Sequence, residues 1–250
     1  MDGAQFGGSS KTTCYDFAAY DAFANIFDVE AANNDKDRST AYRLRYQIYC
    51  VENPFEDPAQ FPDGKEKDHL DYRAVHGLVR HRKSGIACGT TRLILPTDDE
   101  TAAPAGFFDV CRSGAFLPRA TTAEISRFAT SKAFRERCMG FPDTRMFLQD
   151  ASLLPLLTIS LMAFTIQQAA LHRITHLCAV MKPPLIRLLH RFGVHCHPVG
   201  PLVDYHGLRQ PCYLPMDQLL ADIGVEQPAL WDIITDSGRI LEAQRAVEVA

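Results

Sequence analysis

The sequence predicts an α/β fold, a central sheet with helices on both faces, and three observations carry that reading. Strand-like and helix-like segments succeed one another along most of the chain instead of falling into separate blocks. Residues 75–81 and 86–95 read as strands around Arg82-Lys83-Ser84-Gly85, a good hairpin turn. Residues 174–181 form a short apolar run with the composition of a buried strand, and Pro183-Pro184 directly after it opens a helix.

Taken in order, residues 1–15 are rich in Gly, Ser and Thr, the composition of a mobile tail. Residues 16–30 carry Phe17, Tyr20, Phe23, Ala24 and Phe27 at helical spacing, as an amphipathic helix or a hairpin laid over the core. After a polar break, Ser39 or Thr40 caps a helix with Leu44, Ile48 and Val51 on one side and Arg45 and Tyr49 sharing a face. Pro54, Pro58, Pro62 and Gly64 make residues 53–64 a loop. Residues 98–119 are an irregular insertion, 123–130 a strand, and 143–173 one or two apolar helices with Pro155 at a start or kink. The helix opened by Pro183-Pro184 is closed by Gly193. Residues 194–199 and 211–214 form a last strand pair, and two helical stretches follow from Met216. The expected organisation is a tail and N-terminal layer over 1–38, one catalytic-size domain over 39–215, and a helical extension over 216–250.

Composition narrows the class. A chain of 250 residues with 46% hydrophobic residues suffices for one well-packed domain. Net charge is −4 with both signs interspersed, and no basic stripe points to nucleic acid. The first residues lack a positive segment followed by an apolar one, so a cytoplasmic protein is expected. The most apolar stretch, 153–164, falls short of the roughly 20 residues that span a bilayer and reads as a buried helix. The 8 cysteines contain no C-x-x-C pair and read as reduced core residues. His195 and His197 would share a strand face, but no second ligand pair has metal-site spacing, and no metal is expected.

Three charged segments remain: residues 42–49, 66–71 and 124–128, with Arg92 between the last two. Each sets charges of both signs among apolar neighbours, so those charges must sit at the edge of a core and find partners there. Gathered at one cleft, they would form a polar pocket for a small zwitterion or amine.

Their order is specific. Arg45 and Tyr49, then Glu66-x-Asp68-x-x-Asp71, then Arg92, then Glu124-x-x-Arg127-Phe128 resemble the ordered motifs of the acyl-homoserine-lactone (autoinducer) synthases. Residues 42–50, Pro62-Asp63-Gly64 and residues 124–132 look more like the related N-acyl amino acid synthases and the acyltransferases associated with PEP-CTERM/exosortase systems. The loop tryptophan of the autoinducer branch is absent; Phe55 is the nearest aromatic and the sole tryptophan is Trp231. The resemblance runs over about residues 40–199. It implies a GNAT-like (acyl-CoA N-acyltransferase) fold with a mixed, twisted sheet, whose two parallel strands, expected in 124–130 and 174–181, splay apart. It also implies transfer of a fatty acyl group to an amine, with no bound cofactor and the donor carried on the phosphopantetheine of an acyl carrier protein. The CoA loop of such folds is degraded here to Arg135-Glu136-Arg137-Cys138-Met139-Gly140, which suits a carrier-protein donor.

Amide formation from a thioester needs a neutral amine, so a carboxylate must take a proton; Glu124 is the first choice. Along a strand Arg127 would face away from Glu124 and Ser126 unless a bulge re-aims it. Arg45, Tyr49, Asp68, Asp71, Arg92, Arg127 and Phe128 are the expected substrate-binding set. For Asp68 and Asp71, a structural ion-pair cluster with Arg45 and Arg92 stands open beside direct substrate contact; Arg92 and Arg127 are candidates for a substrate carboxylate. Phe147, Leu148, Leu153, Leu156, Leu157 and Met162 read as core more readily than as an acyl pocket. Lys132, Arg135, Arg137 and Arg145 form a basic group suited either to a carrier protein's acidic face or to plain solvation. The leading expectation is an N-acyl amino acid synthase. Its alternatives are an autoinducer synthase using S-adenosylmethionine, a non-catalytic acyl or amino acid binding module, and a CoA-dependent acetyltransferase.

Overall fold

The computed structural model describes residues 17–97, 106–111, 116–138, 140–149 and 152–241. The predicted tail, residues 98–105 of the insertion and the last residues of the extension lie outside that set.

Helix α1 (Phe17–Ile26) runs directly into strand β1 (Phe27–Ala31). The expected single amphipathic element over 16–30 therefore ends at Ile26, because from Phe27 onward the backbone joins the sheet edge against β2. Helix α2 (Asp35–Tyr46) starts earlier than expected: Asn34 Oδ1 accepts from Asp37 N at 2.9 Å and caps it, so Ser39 and Thr40 lie inside the helix. The helix widens into a π-helical turn over Gln47–Glu52, which buries Ile48 and leaves Val51 exposed. A loop with one short turn at Pro58–Gln60 leads to the hairpin β2 (Ala74–His81) and β3 (Ala87–Ile94). Short helix α3 (Gly106–Val110) falls in the insertion. Then come β4 (Thr122–Thr130), α4 (Lys132–Cys138), α5 (Arg145–Gln149), α6 (Leu153–Leu171), β5 (His176–Met181) and α7 (Pro183–His190). Two-residue strands β6 (His197–Pro198) and β7 (Val203–Asp204) both pair with β8 (Leu208–Pro215). Helices α8 (Met216–Glu226) and α9 (Pro228–Thr235) follow.

The sheet order is β1-β2-β3-β4-β5-β8-β6, antiparallel except for the β4–β5 pair, as a mixed GNAT-like sheet requires. Helices cover both faces. Helix α6 lies across β2, β3 and β4; a Cβ at Gly77 of β2 would fall 2.5 Å from the Phe164 ring of α6, so glycine lets the two approach. Helix α6 is long and apolar enough by length and composition to cross a membrane, yet here it is the core helix with most of its side chains buried. Phe147, Leu153, Leu156 and Leu157 pack with Phe23, Phe27 and Phe134 in one apolar cluster, and Met162 packs in the main core. Met216, Leu219, Ile223, Leu230 and Ile234 of α8 and α9 also belong to the main core. The 38/39 boundary falls within α2, and the 216–250 extension begins in the same core as the sheet.

On the opposite face, α2 covers β2 and β3. His76 and Arg92 are cross-strand partners there, and Tyr42 of α2 meets the His76 ring edge-on at 5.4 Å. This charged layer between helix and sheet positions the site.

Candidate active site

Two features of β4 build the site. The first is a bulge. Thr90 pairs with Ala129 and Arg92 with Ser126, so β4 carries one extra residue there, and Arg127 has φ 49°, the left-handed region costly for a side chain-bearing residue. The bulge turns Arg127 toward a carboxylate that Arg92 also meets: Arg92 Nη1 lies 2.6 Å from Asp68 Oδ1 and Arg127 Nη2 3.5 Å from Asp68 Oδ2. The irregularity needed for Arg127 to join Glu124 and Ser126 is present.

The second feature is a splay. β4 and β5 are paired only from Thr122↔His176 to Ile125↔Ala179. Beyond that point β4 stays with β3 and β5 stays with β8, leaving the facing edges of 126–130 and 180–181 without ladder partners in each other. The two splaying strands are those expected from the sequence.

The charged motifs meet beneath this opening. Arg45 is fully buried and donates through Nε to Glu66 at 2.5 Å and through Nη1 to Asp71 at 2.7 Å; its guanidinium carbon is 5.3 Å from the Tyr42 ring centre. Arg92 donates from Nε to Ser126 Oγ at 2.9 Å and from Nη1 to both Asp68 and Asp71. Arg127 donates to Glu66 from Nη2 at 2.9 Å and from Nε at 3.2 Å, and lies 5.3 Å from the Tyr49 ring centre. Asp68 and Asp71 also accept backbone N–H groups of Leu70 and Asp68. Burial pushes the Asp71 carboxyl upward, but Arg45 and Arg92 outweigh it and hold it well below the usual carboxylate range. The same balance lowers Glu66, through Arg45 and Arg127, and Asp68, chiefly through Arg92. Burial alone would lower the Arg127 guanidinium, but the Glu66 carboxylate outweighs it and holds Arg127 even more firmly in its charged form. His76 is the neutral member: burial, assisted by Arg45, lowers it to about 4 against the pull of Asp71.

Two cavities open on this layer. One, of about 240 Å³, is polar and is bordered by Glu56, Asp68, Arg92, Glu124, Arg127 and Arg209. The other, of about 190 Å³, runs between the splayed strands past Phe55, Phe128, Met181, Lys182 and Leu185. Tyr49, Ile125, Ser126, Arg127, Val180 and Arg209 border both, so the cavities share a wall.

Glu124 is almost fully buried at the inner end of the polar cavity, where its Oε2 accepts the Phe107 backbone N–H at 2.8 Å. Of the expected substrate-binding set, Tyr49, Asp68, Arg92 and Arg127 border the polar cavity and Phe128 the second one. Arg45 and Asp71 border neither cavity; both lie beneath, in the ion-pair layer that the structural reading of the motif anticipated. Lys132, Arg137 and Arg145 are exposed, whereas the side chain of Arg135 is outside the described set. Lys132 Nζ reaches Asn53 Oδ1 at 3.3 Å. His195, weighed as a metal ligand, instead holds Glu226 at 2.6 Å.

Sequence reading missed Arg209, Lys182, Glu56, Tyr205 and His206. They come from the β5–α7 junction, the loop and the β7–β8 hairpin, and only the observation that Phe55 lies in a long loop hinted that this region faces the site. His206 packs tilted against Phe55 with ring centres 5.3 Å apart and brings its Nε2 to 3.9 Å from Glu56.

Comparison with known proteins agrees with this geometry. Residues 44–140 match the acetyltransferase (GNAT) domain family. No curated protein sequence matches. Among solved structures, TofI in a ternary complex with an inhibitor and MTA superposes with a TM-score of 0.58 at 23% identity, over 82% of this chain and 99% of that one. The CoA-dependent acyl-homoserine lactone synthase BjaI, with SAM and isopentyl-CoA, gives 0.56 at 19% identity over 82% of this chain and 89% of its own. FeeM, an N-acyl amino acid synthase from uncultured soil microbes, gives 0.50 at 14% identity over 80% and 98%. The splayed β4–β5 pair, the match of residues 44–140 and the superpositions together give this chain a GNAT-like fold, the fold of the acyltransferases it resembles.

Proposed function

We propose that the protein transfers a fatty acyl group from the thioester of an acyl carrier protein to the amino group of an amino acid. The observation that carries this reading is the shared wall at Ile125–Arg127: an amine in the polar cavity and a thioester threaded between the splayed strands would meet there. The amine nitrogen attacks the thioester carbonyl carbon, the C–S bond breaks, and the pantetheine sulfur leaves as thiolate. Glu124, directly or through a water, accepts a proton from the amine and can return it to the thiolate, so charge and protons balance. Backbone N–H groups on the cleft edge of β4, past the end of its pairing with β5 at Ile125, are suited to hold the developing oxyanion.

A carrier-bound donor is supported by the start of α4. Free N–H groups at a helix start ordinarily attract phosphate. Here the Glu52 carboxylate already accepts from Lys132 N at 2.6 Å and Ala133 N at 3.0 Å, and from Ser131 Oγ at 2.7 Å. That negative charge disfavours a CoA pyrophosphate at this turn. Lys132, Arg137 and Arg145 nearby in sequence are the proposed contacts for the acidic carrier, with Arg135 completing the group. Amino acid acceptance is supported by the resemblance of residues 42–50 and 124–132 to the N-acyl amino acid and exosortase-associated branch.

The test is to incubate the protein with carrier proteins charged with medium and long acyl chains, parallel acyl-CoAs, free amino acids and S-adenosylmethionine, and to identify products by mass spectrometry. An N-acyl amino acid that forms with carrier donors and falls about 10²- to 10⁴-fold in Glu124→Gln is expected. A lactone formed only with S-adenosylmethionine would replace this reading with autoinducer synthesis. Ligand binding without any product would make the chain a binding module.

A further inference from the structure

Arg209 differs from Arg45, Arg92 and Arg127, each of which is paired with a carboxylate. It stands at the start of β8, where Val203↔Arg209 pairing folds the β7–β8 hairpin over the opening, and it borders both cavities. Its guanidinium carbon lies 5.8 Å from the Phe55 ring centre and 5.9 Å from that of Tyr205, so aromatic faces hold it in place. Its Nε is buried and has no hydrogen-bond partner. Among the described residues no carboxylate lies within ion-pair distance of Arg209, nor of Lys182, whose Nζ is 5.1 Å from the centre of the same Phe55 ring. Burial lowers both side chains; Arg209 and Lys132 lower Lys182 further, and Arg127 lowers Arg209 against the opposing pull of Tyr49 and Tyr205.

A desolvated guanidinium with an unmet N–H is unfavourable by itself and becomes favourable when an oxyanion arrives. The rest of the polar cavity cannot offer that service: Arg92 and Arg127 are already committed to Ser126, Glu66, Asp68 and Asp71. The cavity therefore carries the carboxylates Glu124, Asp68 and Glu56 together with Arg209, a cation without an ion-pair partner among the described residues.

Resting on the functional reading above, we infer that Arg209 binds the free carboxylate of the acceptor, so that the enzyme selects amino acids over amines, amides and esters of similar shape. The ammonium end lies toward Glu124, which takes its proton, and Lys182 adds positive potential from the donor side. Arg209 is a specificity-determining residue that sequence motifs do not mark.

The experiment compares kcat/KM for the best-acylated amino acid and for its primary amide, which keeps the amine and the shape but not the charge. Wild type should favour the acid, and Arg209→Gln should reduce that preference by about 10- to 100-fold, through KM for the acid, with turnover of the amide little changed. Arg209→Lys should recover part of it. An unchanged acid-to-amide ratio in Arg209→Gln overturns the inference while leaving N-acyl transfer intact. A rise in KM for the acyl donor with that ratio unchanged would also overturn it and assign Arg209 to the donor's phosphate. If Arg209→Gln is inactive, calorimetric binding of the same two compounds to folded protein, checked by circular dichroism, reads the ratio without turnover. If wild type acylates no amino acid, the functional reading falls by itself, and glycine against glycinamide binding to wild type and Arg209→Gln still decides whether Arg209 holds a carboxylate.

Discussion

The layer between α2 and the sheet and the rim formed by the β7–β8 hairpin use the same residue type in opposite ways. In the layer, Arg45, Arg92 and Arg127 each meet two or more oxygen acceptors on Glu66, Asp68, Asp71 and Ser126. At the rim, Arg209 and Lys182 meet aromatic faces, and Lys182 feels the positive field of Arg209. A buried charge with its partners in place fixes the fold and has little left for a ligand, whereas a partly buried charge without them is poised for one. Function is legible in this protein as incomplete pairing.

The sharpest way to break that comparison is to remove a partner from the layer. Arg45→Met leaves Glu66 and Asp71 buried with reduced compensation, and about 3–5 kcal/mol of stability should be lost in denaturant unfolding. A midpoint equal to wild type would mean the layer is not structural. Next is its pH response. His76 has a folded value of about 4 against an ordinary 6.5, so the unfolded chain binds the extra proton. Its contribution is complete above 6.5 and declines as pH falls toward 4, by about 3 kcal/mol in all. His76→Gln should flatten that decline, and an unchanged slope would remove His76 from the account. Below the ordinary carboxylate range of about 4, the lowered Glu66, Asp68 and Asp71 should add a steeper second loss as pH falls toward their depressed folded values. The smallest expected effect lies at the rim. Lys182→Met and Arg209→Gln should shift stability by no more than about 0.5 kcal/mol, in either direction, since neither breaks a pair. A loss as large as that of Arg45→Met would show a hidden partner and erase the contrast. Glu56 lies between the regimes, 3.5 Å from Arg127 and 3.9 Å from His206, and Glu56→Gln should cost under about 1 kcal/mol.

Much of the site was legible because its residues come in short ordered groups. Residues 45–49, 66–71, 92 and 124–128 specify the charged layer, and their opposite signs among apolar neighbours demand mutual pairing wherever the chain folds. The β2–β3 hairpin and the β4, α6, β5, α7 succession were legible from period and punctuation. The start of α2 was not, since Asn34 and Ser39 are both acceptable caps and only the side chain that reaches a free N–H decides. Nor was β1: five residues that continue a helical pattern became a strand because β2 offered an open edge.

By itself, the sequence determined the α/β class and that the charges of residues 42–49, 66–71, 92 and 124–128 must find partners at a core's edge, because periodicity and the cost of isolated charges act locally or on residue type; the two splaying strands followed only from the family resemblance. Only the tertiary structure decided that Arg45 and Asp71 sit below the cavities, that the bulge turns Arg127 inward, and that a hairpin some eighty residues downstream, counting from about Arg127 to Arg209, brings Arg209 to the opening. Those outcomes depend on which backbone groups remain unpaired after the sheet closes, a property of the assembled fold that no local stretch of residues contains.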